Sequence, residues 1–206
     1  MDESQLIILA VGGGVLITVV IVVLVLRWSA RARARRTEAL TLVAGQVGGR
    51  VEAGTWLKEP GLRYTAGGVP AWLEFYSTGG KHPVLYTRLH LELAAPFKLK
   101  IYPEGLLSRL GKKLGLQDVQ VGDPRFDDEF MVKASDELRA PMALTPDVRE
   151  AIIQLRDLGK QKHIEVRLDK GELVVDKLTW LEEPHELRTY LALAERVLLG
   201  VRAAIG

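Results

Sequence analysis

Cysteine is absent from the chain. Disulfides, thiolate zinc sites and thiol nucleophiles are thereby excluded. Histidine is scarce. His82, His90, His163 and His185 are scattered, and no two have the i, i+4 spacing that pairs metal ligands on one helix face. Ser77, Ser108 and Ser135 lack the strand–turn setting of a nucleophile elbow. A phosphate-binding loop is missing too. Gly105 and Gly111 are separated by one residue too many, and Lys113 stands where a Ser or Thr is required. Internal repeats and low-complexity tracts are also lacking.

Excess charge of one sign is missing from most of the chain. Without Asp2, Glu3 and the five arginines of segment 27–36, 23 Lys and Arg face 24 Asp and Glu. A nucleic-acid-binding domain carries its own basic face, so nucleic acid is not an expected partner.

One long apolar run is present. Residues 6–26 read LIILAVGGGVLITVVIVVLVL, without charge or proline. About twenty such residues suffice for a helix across a bilayer's hydrocarbon core. The acidic front and the length argue against a cleaved leader, which needs a basic front and a shorter core. The sequence therefore predicts a transmembrane helix over 6–26. A short external tail occupies 1–5, and a basic juxtamembrane stalk occupies 27–36. Arg27, Trp28, Arg31, Arg33, Arg35 and Arg36 then form a membrane flank against lipid headgroups. Positive residues resist translocation, which predicts a single-pass protein of a bacterial inner membrane, N-terminus outside and C-terminal domain in the cytoplasm. Ala10 and Gly14, four apart, also allow self-association of that helix into a homo-oligomer.

Residues 37–206 are expected to form a single α+β domain. Leu40, Val43, Ala44 and Val47 lie on one helix face before Gly48 and Gly49. The period then changes to two. Segments 62–66 and 69–77 flank Gly67-Gly68, a hairpin signal. Segment 84–93 alternates most clearly, with Leu85, Thr87, Leu89 and Leu91 opposite Tyr86, Arg88, His90 and Glu92. Segments 163–169 and 172–179 read as a second hairpin. Helices are expected from Thr145-Pro146 to about 158 and from Pro184 onward. Segment 104–116 reads as a short basic amphipathic helix. Strand runs with segregated helices predict a mainly antiparallel sheet and about three packed helices. Trp72 and Tyr76 oppose Leu73 and Phe75, so the sheet has two partly apolar faces, and helices are expected to cover both.

The densest acidic cluster is Asp123, Asp127, Asp128 and Glu129. Its spacing is not that of the twelve-residue calcium loop, so a solvated turn is expected and neither metal nor cofactor. From Leu114, LGLQDVQVGDPRFDDEF resembles a family of uncharacterised bacterial single-span membrane proteins. In that family a Gly-Asp, Phe-Asp turn precedes a strand and then a helix opening Leu-Thr-Pro. Gly122, Asp123, Phe126 and Asp127, with Leu144-Thr145-Pro146, match that pattern. The resemblance covers about 114–171 and brings no activity or catalytic residue with it. The function expected is a non-catalytic interaction or scaffold module with an unknown protein partner. The alternative is a membrane-tethered hydrolase using the acidic turn near Asp123–Glu129.

Overall fold

The computed structural model describes residues 2–55, 58–104 and 116–206, and among these the side chains of all but 3–13 and 15. The chain opens with α1 (Glu3–Val47), a continuous 45-residue helix. Gly48 ends it in the left-handed conformation at φ 66°, where its N–H bonds back to the Ala44 carbonyl.

One finding overturns the membrane reading. Among the described residues, no helix is long and apolar enough to cross a membrane. The transmembrane helix, the single-pass arrangement and the inner-membrane placement expected from the sequence are therefore not supported. The helix runs on without a break through the segment read as a stalk and into the domain. Residues 6–26, 27–36 and 37–47 form one rod, and its C-terminal end is core: Leu40 and Val43 are 0% exposed.

A nine-stranded sheet follows. Its strands are β1 (Arg50–Glu52), β2 (Gly61–Ala66), β3 (Val69–Ser77), β4 (Leu85–Glu92), β5 (Leu99–Pro103), β6 (Gln117–Asp118), β7 (Phe130–Ala134), β8 (Ile164–Asp169) and β9 (Glu172–Lys177). Every pairing is antiparallel, in the order β1-β2-β3-β4-β9-β8-β5-β7-β6. Both expected hairpins form. Gly67 and Gly68 turn β2 into β3 at φ 52° and 84°, and Lys170 and Gly171 turn β8 into β9 at 54° and 84°. Lys170 is a non-glycine residue in the left-handed region, so this second turn carries some backbone strain.

Four helices join α1. They are α2 (Pro124–Glu129), α3 (Arg139–Ala143), α4 (Pro146–Asp157) and α5 (Pro184–Ala203). About three packed helices were expected; the short α2 and α3 fall in segments read as turn or loop. Thr145 caps α4 by accepting from Val148 N–H, with Pro146 in the first turn, as the sequence predicts.

The paired register defines two faces. Leu62, Leu73, Leu89, Val175, Val166, Ile101 and Val132 form one continuous row across seven strands, all 0–1% exposed. The buried sides of α4, α5 and the end of α1 belong to the same core. From α5, the fully buried Tyr190 hydroxyl donates to the Val175 carbonyl at 2.6 Å, pinning helix to sheet. Thr87 lies beneath it, donating to the Thr179 carbonyl and accepting from Leu181 N–H, so this buried hydroxyl is fully paired.

Candidate functional site

The acidic turn is built as a capped helix. Asp123 accepts from the Phe126 N–H at 3.3 Å, and its other oxygen accepts from Arg149 Nε at 2.9 Å. The Phe126 amide first, and then Arg149, hold the Asp123 carboxyl below its ordinary value. Asp127 reaches back to accept from Val121 N–H and Gly122 N–H, each at 3.0 Å. Gly122 has φ 79°, a conformation that favours glycine in this turn. Phe126 is 0% exposed and stacks on Phe130 with ring centroids 4.7 Å apart. Glu129 meets Arg156 of α4. The carboxylates thus close a turn and fasten it to α4, and no group of metal-competent side chains forms among the described residues. Mg²⁺ or Ca²⁺ at millimolar concentration is accordingly expected to leave the melting temperature unchanged, and a chelator likewise. A rise of several degrees with either ion in a thermal melt would contradict this.

The arginines of 27–36 divide. Arg27, Arg31 and Arg35 are exposed, as is Trp28 at 74%. Arg36 is 5% exposed and turned inward, its Nη1 donating to Glu182 and its Nη2 and Nε to Glu59. Arg33 is half-buried beside the same Glu59. A lipid-facing role for Arg36 is therefore ruled out. The sequence pattern misled because the arginines of a helical stalk and of a helix entering a domain look alike.

Lys177 occupies the core face of β9. Its Nζ donates to the carbonyls of Arg156 and Gln161, each at 2.5 Å. Burial pushes this ammonium down to about 8. It serves the C-terminal end of α4, where helix carbonyls lack partners of their own.

The opposite face of the sheet holds a constellation that no sequence motif announced. The register places Arg63, Trp72, His90, Val174, Arg167, Lys100 and Lys133 in one row, Glu74, Arg88, Asp176 and Glu165 in the next, and Tyr76 beside Tyr86. Helices were expected on both faces. Among the described residues, the buried helix faces join the core on the other side, and this face carries paired charges and aromatic rings.

At its centre His90 stacks on Trp72, centroids 5.2 Å apart and planes 17° from parallel. His90 Nε2 lies 3.3 Å from Glu74, and Nδ1 lies 3.3 Å from Glu172. Only an imidazolium can donate to a carboxylate from both nitrogens. Glu74 foremost, then Glu172, raise the His90 pKa above its ordinary value against the opposing effect of burial. Arg63 and Lys58 lie over the Trp72 ring at 5.0 and 5.4 Å. Arg88 grips Asp176 with two hydrogen bonds of 2.6 and 2.9 Å and covers Tyr76 at 4.6 Å. Apart from Lys58, in the connection between β1 and β2, these residues come from β2, β3, β4 and β9. The alternation of β4 places Arg88 and His90 on one face, but only the β4–β9 pairing, more than eighty residues apart in sequence, brings Glu172 and Asp176 to them.

A pH dependence follows from His90. A folded pKa above the unfolded value of about 6.5 adds stability that is complete below that value. It is lost as pH rises through the folded pKa. Urea midpoints at pH 6 and pH 8 should therefore fall further in the native chain than in His90→Gln, by about 0.5–1 kcal/mol. Equal falls would remove His90 as the cause.

Two clefts open elsewhere on the domain. One, of about 220 Å³, lies beside Lys98, Ser135 and Asp169, and the other, of about 330 Å³, beside Trp180 and Glu183. Neither is lined by a histidine. Ser135 Oγ accepts from the Lys98 N–H, as befits a turn residue rather than a nucleophile beside a base. The basic amphipathic segment expected at 104–116 lies outside the described residues over 105–115.

Residues 96–182 match a family described as a protein of unknown function, DUF3137. That segment runs from β5 through β9 and includes the acidic turn. No curated protein matches the chain. Among solved structures, the chain is similar to the mycobacterial trehalose monomycolate transport factor A, TtfA, at 10% identity and a TM-score of 0.49, over 80% of this chain and 95% of that one.

Proposed function

We propose that the chain is a non-catalytic interaction module whose sheet presents the Trp72–His90–Arg88–Tyr76 face to a protein partner. The observation that carries this reading is the composition of that face. Tyrosine, tryptophan and arginine provide large contact area and directional bonds with little conformational entropy to lose, and they dominate the binding energy of protein interfaces. Here they are already held rigid by one another: Arg88 by Asp176, His90 by Glu74 and Glu172, Trp72 by His90. Tyr76 remains 39% exposed. The acidic residues that a hydrolase would use are instead engaged as caps and ion pairs with Arg149 and Arg156.

The test uses Tyr76→Ala and Arg63→Glu in the full-length chain. Both positions are exposed, so the fold should survive, with urea midpoints changing by no more than about 1 kcal/mol. Co-purification of a bound protein should drop at least tenfold in both variants and persist in Glu150→Gln, on the outer side of α4. Undiminished co-purification with both variants would refute the reading.

A further inference from the structure

The proposed docking face and the long N-terminal helix are joined by one cluster of side chains. Arg36 leaves α1 where the helix meets the domain. Its guanidinium donates to Glu182 at 2.7 Å and to Glu59 at 2.8 and 3.1 Å, and its carbon lies 4.4 Å over the Trp180 ring. Arg33, one turn earlier, has its Nε 4.0 Å from the same Glu59 oxygen. Glu59 belongs to the connection between β1 and β2, and Trp180 and Glu182 to that between β9 and α5. Three separate parts of the chain therefore close on one guanidinium. The linkage continues through the ring. Trp180 Nε1 donates to the Tyr76 carbonyl at 3.2 Å, and the ring meets Phe75 edge-on at 6.1 Å.

We propose that Arg36, Glu59, Glu182 and Trp180 form a clasp that sets the direction of α1 and couples it to the Tyr76 end of the outer sheet face. The coupling half rests on that face being the docking surface; the clasp itself does not. Its physical basis is position. The fully buried contacts of α1, at Ala39, Leu40, Val43 and Ala44, all lie beyond Arg36, whereas Leu16 to Leu26 and Trp28 are exposed. The packed end of α1 acts as a pivot, and the clasp holds the rod just beyond it. About thirty residues precede Arg33, roughly 45 Å of helix, so a small rotation at the pivot becomes a large displacement at the far end. A buried guanidinium also resists small adjustments. It is stable with both carboxylates and costly with one removed, so the closed contact holds the rod firmly. A partner that moves the β3 backbone at Tyr76 pulls on Trp180, and through it on the guanidinium.

The absence of native cysteine makes the test clean. Spin labels at Arg31→Cys on α1 and Gln154→Cys on α4, both exposed positions, report the helix direction in the full-length chain. With the clasp intact, a single narrow distance is expected. In Glu59→Gln/Glu182→Gln the distribution should broaden at least twofold, and the amide NMR signals of Tyr76 and Ser77 should shift. Glu182→Gln alone keeps the measurement decisive should the double variant unfold, because its side chain is half exposed. An unchanged distance distribution in the folded variants would overturn the clasp. Broadening with unmoved Tyr76 signals would overturn the coupling. Both readouts need no partner, so failure here is distinguishable from failure of the docking reading.

Discussion

Phe126→Ala is expected to destabilise the domain by about 3–5 kcal/mol, the usual cost of emptying a fully buried phenylalanine site. The ring has no solvent exposure and stacks on Phe130, over which the Arg156 guanidinium lies at 5.5 Å. α2 is only six residues long and cannot hold itself. It is fixed at its start by Asp123 and at its centre by Phe126, so loss of the ring should also free the turn between β6 and β7. Asp128→Ala is the control. Its side chain is exposed, and its removal should change stability by no more than about 0.5 kcal/mol. Urea unfolding of both variants decides the matter. A cost below about 1 kcal/mol for Phe126→Ala would mean that the turn is not anchored to the core.

Arg88→Met should cost about 2–4 kcal/mol, discounted from the range for a fully buried ion pair because the arginine keeps some solvent contact. The pair is asymmetric: the Asp176 side chain is 7% exposed and the Arg88 side chain 21%. Removing the arginine leaves a buried carboxylate with neither of its two charged hydrogen bonds. Removing both charges should be cheaper than removing one. Arg88→Met/Asp176→Asn is therefore expected to recover at least half of the loss, measured by urea midpoints. A double variant as unstable as the sum of its parts would show that the carboxylate had been solvated all along.

Much of the local structure was legible. Strict alternation from Leu85 to Glu92 marked β4, and Gly67-Gly68 marked the first turn, because a turn with positive φ at both central positions, as found here, favours glycine at each. Thr145-Pro146 marked the start of α4. The membrane reading is overturned by the finding that, among the described residues, no helix is long and apolar enough to cross a membrane. What the sequence did show correctly is the core face of the end of α1, where Leu40 and Val43 are fully buried although they belong to the same helix as the exposed Leu26. The two shortest helices escaped for a different reason. GDPRFDDEF contains the Asp cap and the Pro of a helix start, but one and a half turns give no periodicity to detect. The outer-face constellation was half visible. Alternation placed Trp72 and Tyr76, and likewise Arg88 and His90, opposite the leucines. Their partners Asp176 and Glu172 arrive through a pairing between distant strands, which periodicity within one segment does not encode.

Site-specific photo-crosslinking tests the interaction reading most directly. A photoreactive residue would be placed in the full-length chain at Tyr76, at Arg63, or at Gln154 on the outer side of α4, and irradiated in cells. The expected result is a discrete protein adduct of one size from Tyr76 and Arg63 and none from Gln154. Adducts of equal strength from all three positions, or from Gln154 alone, would contradict a docking face on the outer side of the sheet.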